Sequence, residues 1–469
     1  MLFNSIPFLM LFVAVLVAHR SVSLRHRGAV LLIGSMIFYS MWIPAYLMLF
    51  VGVLSVNYLS LRLMVRSQQP TFWLIGSVVF SLGVLGYYKY AAFLVSSSIP
   101  LLEEAGFSAP AIPDILLPLG ISFFTFQIIA LAVDTYRGQV EPVENFWEYA
   151  LFISFFPQLI AGPIVRGWQM LPQIRDGGQI SRDRTRRGIW LIALGLMKKV
   201  LLADLFLAPF VDRIFATPGG STAPEHLIAV YSFAFQIYFD FSGYTDMARG
   251  LAKLLGMELP LNFREPYLSR NPAEFWRRWH ITLSQWLRDY LYIPLGGNRV
   301  GSVRTQRNLF ITMLLGGLWH GAAWNFIIWG GLHGVLLILY RWFSSSRNDG
   351  KEEGLRWADA PRVLLLFHAV CFLWIFFRAE NFGEAIAFIN RLATGSYHQI
   401  WPWLQVIVVV ISLLFHVLER SARLRFGAIL AGLESRSWGG ALEGAMLGVL
   451  AALITLLGAS GGEFIYFQF

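Results

Sequence analysis

The sequence contains little cysteine and little charge. Only one of its 469 residues is a cysteine, Cys371, which lies in an apolar run. A single cysteine excludes an internal disulfide and disfavours a cysteine-based metal site. Charged residues make up 14% of the chain and hydrophobic residues 56%, a balance that excludes an ordinary soluble protein.

Several sequence motifs of catalysis are also missing. The chain has no HExxH or comparable spacing of metal ligands, no G-x-S-x-G elbow and no P-loop. It has no internal repeat, no low-complexity tail and no soluble domain. We therefore expect no metal site.

Apolar runs recur along most of the chain, and a membrane span needs about 20 mainly apolar residues. We predict an all-α, polytopic membrane protein with ten or more crossings, built as a single integral-membrane domain over residues 1–469. The candidate spans are 5–19, 28–42, 45–61, 71–95, 115–133, 147–165, 189–211, 227–248, 308–340, 363–378, 401–418 and 441–460.

The loop charges predict an orientation in the membrane. The first apolar run lacks a basic region before it and is followed by arginines, which favours an uncleaved segment with an external N-terminus. The loop 96–114 has acids but no Lys or Arg, as in external loops. The basic loop 166–187 is predicted to be cytoplasmic, provided that 147–165 re-enters at Gly162-Pro163. The net charge of +9 is explained better by an excess of Lys and Arg in cytoplasmic loops, and by contact with anionic lipid, than by nucleic-acid binding.

A charged block, residues 260–307, interrupts the apolar pattern. Asn271, Pro272 and Glu274 predict a helix start. Helical spacing then gives an amphipathic helix suited to the membrane surface, with an apolar stripe of Trp276, His280, Leu283 and Leu287. Its arginines have two interpretations. They meet lipid phosphates, or some of them hold an anionic acyl donor such as a coenzyme A thioester, for which the candidates are Arg277, Arg278 and Arg288.

The remaining candidates for functional residues are histidines and acids that lie in uncharged surroundings. On spacing alone, His280 is more often a packed residue than a catalyst. His320 and His333 lie in "LGGLWHGAAWNFIIWGGLHG" (315–334), and on one helix they would point in widely different directions. Asp240 and Asp246 are costly in an apolar run, and we interpret them as structural partners of a nearby Arg or of backbone amides.

Three motifs together resemble the membrane-bound O-acyltransferase family, in particular its bacterial polysaccharide branch, typified by the alginate O-acetylase. They are "YFDFSGYTDMA" (238–248), "EFWRRWHITLSQWLRDYLYIPLGGN" (274–298) and "LLGGLWHGAAWNFIIWGGLHG" (314–334). The likeness extends to residues 117–138, 155–166 and the closing "FIYFQF" (464–469).

The resemblance implies a ring of roughly 10–12 transmembrane helices around a thinned core with a tunnel, together with re-entrant and interfacial helices. It also implies that His320 and His280 are functional, whereas His333 is left as structural. A neutral histidine in an apolar tunnel can take a proton from a hydroxyl that attacks an acyl thioester. The small residues around His320, such as Gly317, would leave room for a narrow substrate.

The leading hypothesis is an acetyltransferase of the bacterial inner membrane that moves acetyl from a cytoplasmic donor, acetyl-CoA, toward a periplasmic exopolysaccharide such as alginate or acetylated cellulose. It implies no bound cofactor and no metal. The expected partners are a periplasmic SGNH-type acetyltransferase and the polysaccharide synthesis and export complex. The alternatives are a non-catalytic acyl conduit or scaffold and, last, a secondary transporter, which predicts repeated halves that the chain lacks.

Overall fold

A computed structural model of the chain describes residues 3–343, 356–436, 438–458 and 465. The secondary structure of this part is helical, without a strand. Most of the charged loop 341–362 and all of the closing motif except Ile465 lie outside the described residues. The chain divides into two compact units, Met1–Ile189 with Ala248–Pro260, and Trp190–Met247 with Leu261–Phe469.

The first unit contains the N-terminal helices. Proline stands in the first turn of α1, α3 and α4, where its missing amide costs no hydrogen bond. The predicted spans 28–42 and 45–61 are two helices, since α2 ends at Ser40 and α3 begins at Pro44. The helices are α1 (Ile6–Ser21), α2 (Leu24–Ser40), α3 (Pro44–Arg66), α4 (Pro70–Leu85), α5 (Ala91–Glu104), α6 (Ile121–Tyr136), α7 (Phe146–Ser154), α8 (Phe156–Leu159) and α9 (Gly167–Arg175), followed by α10 (Arg182–Leu196), which contributes residues to both units.

The predicted span 147–165 is not one helix. α7 has nine residues and ends at Ser154, before the short α8. At 1.5 Å per residue, α7 is about 14 Å long, roughly half the hydrocarbon thickness. This length fits a segment that enters the membrane without crossing it as a helix, and the re-entrant turn at Gly162-Pro163 stays a prediction.

The second unit contains the candidate site. Its helices are α11 (Ala208–Ala216), α12 (Ala223–Leu254, whose last residues belong to the first unit), α13 (Pro272–Arg278), α14 (Ile281–Leu287), α15 (Ser302–His320), α16 (Trp324–Phe343), α17 (Ala360–Arg378), α18 (Phe382–Thr394), α19 (Trp403–Glu434) and α20 (Gly439–Leu457).

Length and apolarity mark six helical stretches of the described chain as able to cross a membrane, which confirms a multi-pass, all-helical membrane protein. Two shorter apolar helices, α1 and α6, accompany them. The ring of ten to twelve helices and its tunnel stay a prediction. The six stretches are Pro44–Arg66, Pro70–Glu104, Trp324–Phe343, Trp357–Arg378, Trp403–Arg423 and Gly439–Leu457.

The predicted span 308–340 is two helices that cross closely. α15 ends at His320 and α16 begins at Trp324. A Cβ on Gly317 would lie 2.1 Å from the carbonyl oxygen of Phe326, and one on Gly330 would lie 2.3 Å from that of Met313. The expectation that Gly317 leaves room for substrate is therefore wrong, because α16 fills that space. The glycines allow the two helices to approach and thereby place the end of α15.

Candidate active site

The predicted surface helix is interrupted at His280. α13 ends at Arg278, α14 begins at Ile281, and His280 between them has a left-handed backbone with φ 42° and ψ 56°. The predicted helix start is confirmed, because the side chain of Asn271 accepts the amide of Glu274 at 2.8 Å. The prediction of one continuous amphipathic helix is wrong, and with it the placement of His280 on a helical stripe.

Hydrogen bonds from a neighbouring segment explain the break. The amide of Ile281 donates to the carbonyl oxygen of Asn262 at 2.8 Å, and the amide of Arg264 donates to that of Arg278 at 2.9 Å. A strained backbone position at a non-glycine residue costs about 1–3 kcal/mol and persists only where its surroundings hold it. Such bonds join distant parts of the chain, so the spacing of apolar residues could not reveal them.

The side chain of Asn262 binds the same break. Its Oδ1 accepts hydrogen bonds from the amide and the hydroxyl of Thr282, at 3.1 and 2.9 Å. The Nδ1 of His280 lies 3.3 Å from the same oxygen. All three residues are buried. Sequence analysis missed Asn262, because a lone Asn in a loop carries no pattern.

Aromatic rings surround the imidazole of His280. The ring of Phe241 meets it edge-on with centroids 4.7 Å apart, and Trp319 lies at 6.0 Å. His280 lies outside the six candidate membrane helices. Burial lowers the pKa of His280 to about 3, so the ring is neutral at ordinary pH.

His320 lies beside it. It is the last residue of α15, and only 4% of its surface is exposed. Its ring contacts those of Trp329 and Phe377, with centroids at 5.1 and 5.4 Å, and the centroid of the His280 ring is 6.4 Å away. The structure thus brings together the two histidines proposed as catalytic.

His333 occupies a separate aromatic environment. Its ring stacks on Phe275 with centroids 6.0 Å apart and meets Trp276 and Trp329 at 5.0 and 4.8 Å. Neither of its ring nitrogens has a hydrogen-bond partner in the described part of the chain. The ring of Trp329 therefore contacts both His333 and His320. The structural role of His333 stays a prediction.

The three candidate arginines differ in environment. Arg278 is buried and donates to Glu274 at 2.6 Å, one helical turn away. Burial alone would raise the pKa of Glu274, but hydrogen bonds and charge from Arg270 and Arg278 lower it, which keeps the carboxylate ionised. Arg277 is exposed, and Arg288 is 59% exposed and pairs with the adjacent Asp289. Only Arg277 and Arg288 are thus open to a solvated phosphate.

Lysines pair with both acids of the predicted apolar run. Lys199 lies 2.6 Å from Asp240, and Lys198 lies 2.7 Å from Asp246. Asp240 also accepts the backbone amide of Ile465 at 2.7 Å. The structural interpretation is supported for Asp240, whose partners are a lysine and, as expected, a backbone amide. Sequence analysis missed both lysines, although "LMKKV" (196–200) in an apolar run was a usable signal.

Both lysines lie in a π-helical stretch, Met197–Leu207. A π-turn adds a residue per turn and so changes which side chains share a face. Lys198 also pairs with Glu419 of α19, and Lys199 with Asp204 at 2.8 Å. Acids on helices of the second unit therefore neutralise both lysines.

Comparison with known proteins identifies the family to which this arrangement belongs. The model of MBOAT, the membrane-bound O-acyltransferase family, matches residues 121–349. The chain is 43% identical over 390 residues to a probable alginate O-acetylase, AlgI, of Pseudomonas aeruginosa, covering 82% of this chain and 73% of that protein. The chain belongs to the membrane-bound O-acyltransferase family. It is therefore an acyltransferase, and the family resemblance seen in its motifs is confirmed.

Other relatives of this membrane-bound O-acyltransferase carry different names. A peptidoglycan O-acetyltransferase of Helicobacter pylori is 38% identical over 395 residues, covering 77% of this chain and 73% of the relative. A teichoic acid D-alanyltransferase of Streptococcus thermophilus is 30% identical over 285 residues, covering 55% and 68%. These names share transfer of a small acyl group and differ in acceptor.

Proposed function

We propose that this protein is an inner-membrane O-acetyltransferase that takes acetyl from cytoplasmic acetyl-CoA and directs it to an exopolysaccharide on the periplasmic side. The observation that carries the proposal is the pair of buried histidines, His280 and His320, with ring centroids 6.4 Å apart in an apolar, aromatic cluster. Relatives named as O-acetylases of alginate and of peptidoglycan support acetyl as the group and an envelope or secreted polymer as the acceptor.

His320 is proposed as the general base. It takes the proton of an attacking hydroxyl while the hydroxyl oxygen forms a bond to the thioester carbonyl carbon. The carbon–sulfur bond then breaks, and the thiolate of coenzyme A leaves with the proton that the imidazole held, so no net proton is consumed. Such proton transfer is worth about 10²–10⁴-fold in rate, and dry surroundings prevent hydrolysis of the thioester.

The donor's phosphates are proposed to bind Arg277 and Arg288. Both are exposed, and a guanidinium can hold two phosphate oxygens at once. Arg278, which was a third candidate, already pairs with Glu274 and is proposed to hold α13 in shape.

The immediate acceptor is proposed to be a periplasmic SGNH-type acetyltransferase that works with the polysaccharide synthesis and export complex. The relatives' names cover alginate, peptidoglycan and teichoic acid, so the acceptor polymer varies among similar proteins. Alginate, or another acetylated exopolysaccharide such as cellulose, is the proposed final polymer.

A conduit or scaffold without its own chemistry is the second candidate. Labelled acetyl-CoA given to the purified protein, with and without its periplasmic partner, tests the proposal. Release of free coenzyme A that depends on His320 and on an acceptor supports catalysis in this chain. If the label passes equally well with His320→Gln, the conduit is the better description.

A further inference from the structure

We propose that Asn262 is a positioning residue that fixes the tautomer of His280, so that Nδ1 carries the proton and Nε2 is left as a hydrogen-bond acceptor. This inference rests on the proposed function of His280. It adds a named residue and a chemical role, namely that His280 accepts a proton or hydrogen bond and does not donate one to an oxyanion.

The orientation of the Asn262 amide is set by Thr282. A backbone N–H can only donate, so the atom 3.1 Å from the amide of Thr282 must be the amide oxygen. The Thr282 hydroxyl, at 2.9 Å from the same atom, strengthens this assignment. A flipped Asn262 would place an NH2 group against the N–H of Thr282.

The amide oxygen in turn fixes the imidazole. Oδ1 of Asn262 can only accept, and Nδ1 of His280 lies 3.3 Å from it. Nδ1 must therefore carry a hydrogen, and a neutral ring with Nδ1–H has its lone pair on Nε2. Burial lowers the pKa of His280, which keeps the ring neutral.

The backbone holds this pair in place. Asn262 accepts the amide of Ile281 through its own carbonyl at 2.8 Å, so one residue binds the chain on the C-terminal side of His280 through both its backbone and its side chain. His280 has a left-handed backbone, so its ring does not follow the helical stripe of α13 and lies beside Asn262. Asn262 and His280 have no exposed surface.

A role for the Nε2 lone pair follows from the position of the ring. The ring of His320, the proposed base, is a neighbour of His280. An acceptor at this point can orient the attacking hydroxyl or accept an N–H from His320. An N–H donor at this point would bind the lone pair of His320, and it would then compete with the hydroxyl proton for that lone pair.

Asn262→Asp is the main test. The Nδ2 of Asn262 has no hydrogen-bond partner within the described residues, so aspartate keeps every bond that Oδ1 accepts. Its negative charge favours imidazolium, which raises the pKa of His280. The pKa of His280, read from the pH dependence of its ¹⁵N signal, should therefore rise by about one unit or more, with the donor KM little changed.

The tautomer itself is read by ¹⁵N NMR of protein labelled in histidine, with His280→Gln to assign the signal. We expect a protonated Nδ1 and a lone pair on Nε2 in the wild type, and the same in the control Thr282→Val, which removes one of the bonds to Oδ1 and leaves the amide. Asn262→Leu removes the acceptor beside Nδ1, so His280 should populate both neutral tautomers. This variant should lower kcat about tenfold or more.

The outcomes separate the inference from the proposed function, because the NMR signal does not depend on activity. A His280 ring protonated at Nε2 in the wild type overturns the inference, whatever the activity. An unshifted pKa of His280 in a folded Asn262→Asp variant also counts against it. If the tautomer is as inferred but His280→Gln acetylates normally, the positioning stands and the catalytic role of His280 fails.

Discussion

The imidazole rings of His280 and His320 have centroids 6.4 Å apart and come from separate segments of the chain. His280 stands at the break before α14, and His320 ends α15. Two rings at this separation can both hydrogen-bond to one hydroxyl group placed between them. Their contributions to rate should therefore depend on each other.

The first prediction is non-additivity of the two histidines. His280→Gln and His320→Gln each lower kcat/KM for acetyl transfer, and the double variant should lose little more than the worse single variant. The reason is that both rings act on one proton transfer, which is lost once either is missing. Steady-state kinetics of the four proteins measure this. Independent, multiplying losses would show that the rings act in separate steps.

The second prediction concerns the donor. Arg277→Gln with Arg288→Gln should raise the apparent KM for acetyl-CoA, because two exposed guanidinium groups that can meet phosphate are lost. Each charge-assisted hydrogen bond is worth about 1.5–3 kcal/mol, so a rise of tenfold or more is expected.

Arg278→Gln is the contrast to this pair. It removes a buried partner of Glu274, so it should lower thermal stability more than it changes donor KM. A donor KM that stays at the wild-type value in the Arg277→Gln, Arg288→Gln variant would assign these arginines to lipid contact.

The third prediction concerns the buried Lys199–Asp240 pair. Asp240→Asn should destabilise the protein by about 3–5 kcal/mol, since it removes a carboxylate that pairs with the buried ammonium group of Lys199. The matched control is Asp183→Asn, which breaks an exposed pair with Arg187 and should cost about 0–1 kcal/mol. Unfolding in detergent measures both. Equal costs would mean that the buried pair contributes no more than a surface pair.

The fourth prediction concerns orientation. In a variant without Cys371, a cysteine at Glu104 should react with a membrane-impermeant maleimide in intact cells. A cysteine at Arg182 should react only after permeabilisation. Both positions are exposed, and the acidic loop lies outside under the positive-inside rule while the basic loop lies inside. The reverse labelling pattern would invert the topology.

Sequence patterns predicted those features that depend on local composition. Apolar length predicted the membrane helices, and Asn271 with Pro272 predicted the start of α13. Three motifs together, one of them around His320, indicated the family. The break at His280 could not be predicted in this way, because the bonds that stabilise it come from Asn262 and its neighbours.

Two further features needed three-dimensional contact. The spacing of charges in one segment does not reveal that Lys198 and Lys199 neutralise acids on α12 and α19. Small residues next to His320 suggested open space, and the backbone of α16 occupies it at Gly317. In both cases, the determining partner lies on a different helix.

The last prediction concerns the proposed general base. His320→Gln should lower acetylation of the secreted polymer by about 10²–10⁴-fold, because glutamine keeps some hydrogen bonding but cannot usefully accept a proton. The matched control is His333→Gln. That residue is equally buried and also contacts Trp329, but its ring stacks on Phe275 and not on the histidine pair. It should therefore retain far more activity. The measurement is the O-acetyl content of the polymer, normalised to membrane-inserted protein, with thermal unfolding of both variants as a check on folding. If both variants lose activity equally while still folded, aromatic packing around Trp329 rather than a proton acceptor at His320 limits the reaction. If His320→Gln acetylates at the wild-type level, His320 is not the base.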